Sequence, residues 1–266
     1  MARRPVVEGC FYPSDTEDLS REIKALISVK KEARNAIGIV APHAGYVYSG
    51  GIAGKVYGAI RPARTYVVLG PNHTGRGEAV ACSDEDWETP LGTVEVDKDL
   101  IRALTKGRSG IKIDRKAHAQ EHAVEVHLPF IKSISPEAKI VPITFMSVGI
   151  REVRMAGEAI ASAIKASGGK ALIVASSDMT HYESRASASK KDKEAIGRIL
   201  ELDAEGLLEV VEEHNISMCG VVPVAVMLVS AKELGARAAE LIEYDDSGSV
   251  NGDTSHVVGY AGLVVC

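Results

Sequence analysis

The sequence lacks the patterns that mark membrane proteins, nucleic-acid-binding proteins and secreted proteins. Its longest apolar run, residues 221–229, contains Pro223 and is far shorter than the roughly 20 residues of a membrane span. It has no run of basic residues, and its net charge is −5, which argues against a nucleic-acid partner. The basic residues 1–5 are not followed by the apolar segment of a signal peptide. We therefore expect neither a membrane nor a nucleic acid as a partner.

The cysteines are too scattered for a disulfide framework or a CxxC metal motif. Cys10, Cys82, Cys219 and Cys266 stand far apart in the chain. Such usage is typical of a reducing compartment, and we expect a cytoplasmic location. The 266 residues are 45% hydrophobic, which is enough to bury a large core.

Apolar runs typical of buried strands alternate with segments of helical period. This alternation predicts one three-layer α/β/α domain over residues 1–266, with a mainly parallel central sheet. No linker or internal repeat divides the chain. Strands are expected at 36–41, 65–69, 79–82, 92–96, 139–145, 170–175, 237–243 and 256–265, and helices at 14–26, 49–60, 97–104, 150–166, 188–200, 204–213 and 219–234.

Polar side chains follow three of the predicted strands. His43 comes after the first strand, His73 after the second, and Asp178 and His181 after the strand at 170–175. Cys219 stands at the start of an apolar helix, where free amides would favour its thiolate. Parallel strands end at one edge of a sheet, so these groups can converge there. Imidazole and thiolate are ligands for zinc, copper or iron.

Each of these residues also has a purely structural interpretation. His43 and His73 could cap ordinary turns, Asp178 could cap a helix, and Cys219 could pack as a small apolar side chain. Alternatively, Asp178 could orient His181 as a general base, because the two are three residues apart.

The segment from residue 118 to 127 is unusually rich in histidine and glutamate. Glu121, His122 and Glu125 are candidates to orient a ligand's ring or to line the pocket. Tyr46 could wall the same pocket or pack in the core. His118 and His127 are more typical of surface or packing positions.

Several ordered motifs together resemble the Memo family. They are Ala41-Pro42-His43-Ala44-Gly45-Tyr46, Leu69-Gly70-Pro71-Asn72-His73, Thr89-Pro90-Leu91-Gly92, Glu121-His122 with Leu128-Pro129-Phe130, Ser176-Ser177-Asp178 with His181, Cys219-Gly220, Gly252-Asp253 and Val257-Val258-Gly259-Tyr260.

The resemblance implies a fold similar to class III extradiol dioxygenases, which hold iron with two histidines and one carboxylate. It implies that His43 and His73 are metal ligands, that Cys219 replaces the carboxylate, and that His181 is the acid/base histidine. Family members are implicated in copper or iron binding and redox chemistry. Animal members are implicated in receptor signalling through phosphopeptides, a role that need not extend to this chain.

Three hypotheses follow for the function. The first is a metal-dependent redox protein or oxygenase-like enzyme that uses copper or iron, or else zinc, at His43, His73 and Cys219, with little or no ring-cleaving activity expected on simple catechols. The second is a non-catalytic module that binds a peptide or a small molecule in the same cleft. The third is a metal-free cysteine hydrolase using Cys219 and His181, for which no oxyanion hole is identifiable. A homo-oligomer is compatible with all three.

Overall fold

A computed structural model of the protein describes residues 2–27, 33–106 and 109–266. Alternating strands and helices fill these ranges. The strands are β1 (Gly38–Ala41), β2 (Thr65–Pro71), β3 (Val80–Cys82), β4 (Lys112–Ile113), β5 (Lys139–Phe145), β6 (Ala171–Ser176), β7 (His181–Glu183), β8 (Ala239–Asp246) and β9 (Val257–Val265). The α-helices are α1 (Thr16–Leu26), α2 (Gly51–Gly58), α3 (Lys98–Thr105), α4 (Leu128–Ile134), α5 (Ile150–Ala166), α6 (Arg185–Leu200), α7 (Ala204–Glu213), α8 (Val221–Glu233) and α9 (Gly248–Asn251).

All of these strands join one open sheet, in the order β4-β3-β5-β2-β6-β1-β9-β7, with β8 also paired to β9. The four central strands β5, β2, β6 and β1 are mutually parallel, whereas β9 and β3 run antiparallel to their central neighbours. The predicted α/β fold around a mainly parallel sheet is thereby confirmed. Within the described ranges, no helix is both long and apolar enough to cross a membrane.

The central strands are continuous apolar runs because helices cover both faces of the sheet. A Cβ atom on Gly38 of β1 would point at Met227 of α8, and one on Gly262 of β9 would point at Val56 of α2. Gly38 pairs with Val265, three residues from Gly262, so the two glycines face opposite sides of the sheet. Helices α2 and α8 therefore form two separate outer layers, as expected for a three-layer arrangement.

Several segments differ from the sequence-based prediction, among them strand β4 and helix α4, which the sequence did not predict. Residues 92–96 follow a turn at Gly92, where φ is +105°, and form only isolated bridges, from Val94 to Trp87 and from Val96 to Ile140. The predicted loop after β6 contains the short strand β7, which pairs with β9. The predicted connection at 245–254 contains the end of β8 and the one-turn helix α9.

The amino-terminal arm is held on the body of the protein by a buried ion pair. Arg3 Nη1 donates to Glu125 Oε2 at 2.6 Å, and both side chains are almost fully buried. Glu125 also accepts from the amides of Val6 and Val7 and from the hydroxyl of Tyr12. The same arginine donates to the carbonyls of residues 118 and 121 and stacks on the ring of residue 87. One side chain therefore fixes the arm against the segment that carries Glu121 and His122.

We expect Arg3→Met to lower the free energy of unfolding by about 3 kcal/mol, because it leaves a buried carboxylate without its cation. Urea denaturation at pH 7 measures the change. The control is Arg21→Met, which breaks an exposed pair with Asp18 and should cost less than about 1 kcal/mol. Equal effects of the two substitutions would contradict this role for Arg3.

Candidate metal centre

The register of three adjacent parallel strands brings the predicted site residues together. Ala41 of β1 pairs with Ser176 of β6, and Leu69 of β2 pairs with Ala175 of β6. The strands therefore end at nearly the same level. His43 lies two residues beyond the end of β1 and His73 two residues beyond the end of β2, so the histidines approach each other across the end of β6.

His43 is buried and fixed at its main chain and at its ring. Its amide donates to Asp178 Oδ1 at 2.9 Å, and its Nδ1 lies 2.7 Å from Ser176 Oγ. Burial, together with the proximity of His122 and His73, holds the pKa of His43 well below its ordinary value. The ring is therefore neutral at pH 7, which is the form that binds metals.

The carboxylate of Glu121 fixes His73 at its main chain and at its ring. Glu121 Oε2 accepts from the His73 amide at 2.6 Å, and Oε1 lies 3.0 Å from the His73 Nδ1. Oε1 also accepts from the amides of His122 and Ala123. Burial alone would raise the pKa of Glu121, but its contacts with His73 and these amides lower it to about 2. A carboxylate on Nδ1 leaves Nε2 for a metal, which is the usual support of a metal-binding histidine.

His43, His73 and His122 together form a cluster that could hold a metal ion. Their candidate ligand nitrogens all lie within 4.8 Å of one another. The rings of His73 and His122 stack with centroids 5.0 Å apart, and the ring of His43 meets that of His73 edge-on at 5.3 Å. Three imidazoles at this spacing suit a transition metal rather than magnesium or calcium. The sequence predicted His122 as a supporting residue, whereas its position also permits direct ligation.

Cys219 lies beside this cluster, just before α8. Its Sγ is 3.4 Å from His43 Nε2, and the Asp178 amide donates to it at 3.3 Å. A Cβ on Gly220 would stand 2.2 Å from the carbonyl oxygen of Ser176, so only glycine lets the chain pass this close to β6. Burial and the charge of Asp178 raise the pKa of the Cys219 thiol. Desolvation thus outweighs the helix amides that were expected to favour the thiolate.

His181 and Asp178 lie at the same edge of the sheet, but each has a different partner. The Nδ1 of His181 lies 2.9 Å from the Ser217 carbonyl, and its amide donates to Ser217 Oγ. Asp178 accepts from the His43 amide instead. Because a carbonyl only accepts, the neutral ring of His181 has its proton on Nδ1 and its lone pair on Nε2. Ser217, rather than Asp178, fixes the orientation of this ring.

Comparison with known proteins gives the same assignment along nearly the whole chain. The family model for Memo-like proteins matches residues 3–264. The chain belongs to the Memo family. A MEMO1 family protein of Methanosarcina barkeri is 43% identical over 265 residues, covering 99% of both chains. One from Methanopyrus kandleri is 41% identical over 279 residues, again covering 99% of both chains.

Among solved structures, an uncharacterized protein of Escherichia coli K12 matches this Memo chain with a TM-score of 0.44 and 15% identity, covering 77% of this chain and 88% of that one. A likeness this weak supports no argument about fold or function. The expected similarity to extradiol dioxygenases therefore stays a prediction.

Two further residues named from the sequence lie in the Memo fold away from ligand positions. Glu125 binds the amino-terminal arm, as described above. Tyr46 packs between Tyr12 and Phe130, and its hydroxyl donates to the Val126 carbonyl. Packing is thus the better description of Tyr46.

The sequence assigns no individual role to Ser176 and predicts that His127 is a surface or packing residue. His127 is fully buried, and its Nε2 lies 2.9 Å from Ser176 Oγ. The signals for Ser176 are its position directly after the predicted strand at 170–175 and its place in the Ser176-Ser177-Asp178 motif.

His118, four residues before His122, is buried and contacts the Ala81 carbonyl through Nε2 at 3.0 Å. Burial lowers the pKa of His118 to about 4. The unfolded chain, with an ordinary histidine pKa near 6.5, therefore binds a proton between pH 6.5 and 4 that the folded chain does not. Folding stability from this group is fully present above pH 6.5 and is lost as the pH falls toward 4.

When the pH falls from 7 to 5, the free energy of unfolding should decrease by about 2 kcal/mol more in the parent than in His118→Gln. Glutamine keeps an N–H for the Ala81 carbonyl but does not titrate. Urea denaturation at both pH values tests this, with the exposed His256→Gln as a control that should behave as the parent. Parallel losses in the parent and His118→Gln would contradict it.

Proposed function

We propose that this protein binds one copper or iron ion at His43, His73 and Cys219 and that the bound site is redox-active, with zinc as a further candidate ion. The observation that carries the proposal is the 3.4 Å separation of His43 Nε2 and Cys219 Sγ. Ligands bound at about 2.0 and 2.3 Å to one tetrahedral ion stand about 3.5 Å apart. The cluster of His43, His73 and His122 supports the proposal in part, because it places His73 near His43, although Cys219 is not a member of that cluster.

The donor set supports copper or iron over harder ions. A thiolate is a soft ligand that favours copper(I), and imidazole suits copper, iron and zinc. A metal bound here would supply one-electron redox chemistry. The thiol is protonated in the metal-free protein because of its burial, so binding would release that proton.

His181 is proposed as an acid/base or ligand-binding group beside the metal, with Asp178 contributing charge nearby. In the neutral ring, the Nε2 of His181 can accept a proton from a bound molecule. We expect little ring cleavage of simple catechols, because the soft Cys219 replaces the hard carboxylate of the dioxygenases and is itself oxidisable.

A second candidate function is a non-catalytic module that binds a peptide or a small molecule at this edge of the sheet. Exposed apolar side chains in segments adjoining the site favour it. Val47 and Tyr48 follow the His43 loop, and Tyr182 follows His181; their exposures are 68%, 41% and 74%. Turnover by the metal-loaded protein, as opposed to ligand binding alone, separates the two functions.

We expect His43→Ala combined with His73→Ala to weaken binding of copper(I), iron(II) and zinc at least about 100-fold, the upper range for loss of an outer supporting group. Competition with a chromophoric chelator under anaerobic, reducing conditions measures the affinities, using protein without an affinity tag.

His181→Ala should retain the parent's metal content while altering ligand binding or turnover. Parent-like affinity in the double variant would contradict the site, and metal loss in His181→Ala would make His181 a ligand.

Cys219→Glu should lower the ratio of copper(I) to iron(II) affinity by about tenfold or more, equivalent to about 1.4 kcal/mol, because a carboxylate is a harder ligand. Cys10→Ser, at an exposed cysteine, controls for copper(I) bound to surface thiols and should leave the ratio unchanged. An unchanged ratio in Cys219→Glu would show that Cys219 is not a ligand. Robust catechol cleavage by the iron-loaded parent would contradict the proposal that the soft thiolate of Cys219 replaces the carboxylate ligand of the dioxygenases.

A further inference from the structure

The hydroxyl of Ser176 has three close polar neighbours beneath the metal centre. Its Oγ lies 2.7 Å from His43 Nδ1, 2.9 Å from His127 Nε2 and 2.7 Å from the carbonyl oxygen of Ala123. Ser176 and His127 are fully buried, and His43 is 2% exposed. This arrangement has no solvent-facing member, so its protons must be shared among these groups.

Counting protons gives only one consistent assignment. A hydroxyl has one proton and two lone pairs, and a carbonyl has no proton to donate. The Ser176 hydroxyl must therefore donate to Ala123, since otherwise two oxygen lone pairs would face each other at 2.7 Å. Both imidazoles then donate to Ser176 Oγ. His43 consequently carries its proton on Nδ1, and its Nε2, the nitrogen beside Cys219, is left with a lone pair.

His127 contributes by occupying the second lone pair of the hydroxyl. The hydroxyl of Ser176 donates its proton to the Ala123 carbonyl, and each of its two lone pairs accepts from one imidazole. It therefore cannot rotate to donate to His43 without breaking another buried hydrogen bond. Leaving a buried polar group unpaired is energetically unfavourable. The Nδ1 of His127 has no hydrogen-bond partner among the described residues, so its Nε2 bond to Ser176 is the polar contact that holds this ring.

We propose that Ser176, supported by His127, is a positioning residue that holds His43 in the tautomer whose Nε2 can bind the metal. This inference rests on the proposed metal-binding function. Glu121 holds His73 at the amide and at Nδ1, and the end of β6 holds His43 at the same two points, with Asp178 on the amide and Ser176 on Nδ1. The difference is that His73 faces an anion and His43 a neutral hydroxyl, which makes His43 the less basic ligand.

The first measurement needs only the metal-free parent protein labelled with 15N in histidine. Long-range 1H–15N correlation spectra distinguish a protonated ring nitrogen from an unprotonated one. The parent should show His43 protonated at Nδ1 and unprotonated at Nε2. The opposite tautomer would overturn the proposal without any variant.

The second measurement compares zinc affinity, zinc being a redox-inert probe, in Ser176→Ala, Ser176→Thr and a control. Ser176→Ala should lose the fixed tautomer of His43 and bind zinc about 10–100-fold more weakly. Ser176→Thr keeps the hydroxyl and should therefore show the parent's tautomer and zinc affinity. The control is Ser230→Ala, because Ser230 is equally buried but bonds to Gly157 and Val226 within the helix layer. Ser230→Ala should change neither the tautomer of His43 nor the zinc affinity.

The outcomes separate this inference from the metal site itself. Retention of the Nδ1 proton and of zinc affinity within about twofold in Ser176→Ala would overturn the role of Ser176, even if the parent binds zinc tightly. A parent that shows the expected tautomer, dependent on Ser176, but binds no zinc would support the hydrogen-bond assignment and contradict the proposed metal site.

Discussion

The shared register of β1, β6 and β2 is the constraint on which the site depends. Three parallel strands that end at one level deliver three loops to one place, and the end of β6, in the middle, supplies the groups that hold His43. Ser176 and Asp178 extend from β6 to His43. A shift of one residue in this register would turn each side chain to the other face of the sheet and separate these pairs. Continuous apolar packing on both faces fixes the register.

Burying several histidines together is electrostatically costly, and the structure reduces this cost by keeping the most buried rings neutral. His43, His118 and His127 all have lowered pKa values because of burial. The more exposed His73 differs: burial would lower its pKa, but its contact with Glu121 outweighs this effect and raises it. The more basic imidazole of His73 and the less basic imidazole of His43 thus lie close together. Beside His43 is the thiol of Cys219, which burial keeps protonated.

The amino-terminal arm is part of this arrangement, although it contributes no candidate ligand. Arg3 binds both Glu125 and the carbonyl of Glu121, and Phe11 lies edge-on against the ring of His122 at 5.0 Å. The segment that supplies Glu121 and His122 is therefore held between the sheet edge and the arm. Such support from two directions is what a ligand set needs to keep its geometry when no metal is bound.

The sequence by itself determined the fold class, most of the helices and strands, and the presence of His43, His73, His181 and Cys219 at one sheet edge. It could do so because apolar periodicity, proline and glycine act locally, and because parallel topology places strand ends together. Only the tertiary structure decided the partners: His122 within the histidine cluster, Ser217 rather than Asp178 on His181, Glu125 on the arm, and Ser176 between His43 and His127. These contacts join residues distant in sequence, and they depend on strand order and register, which local patterns do not encode.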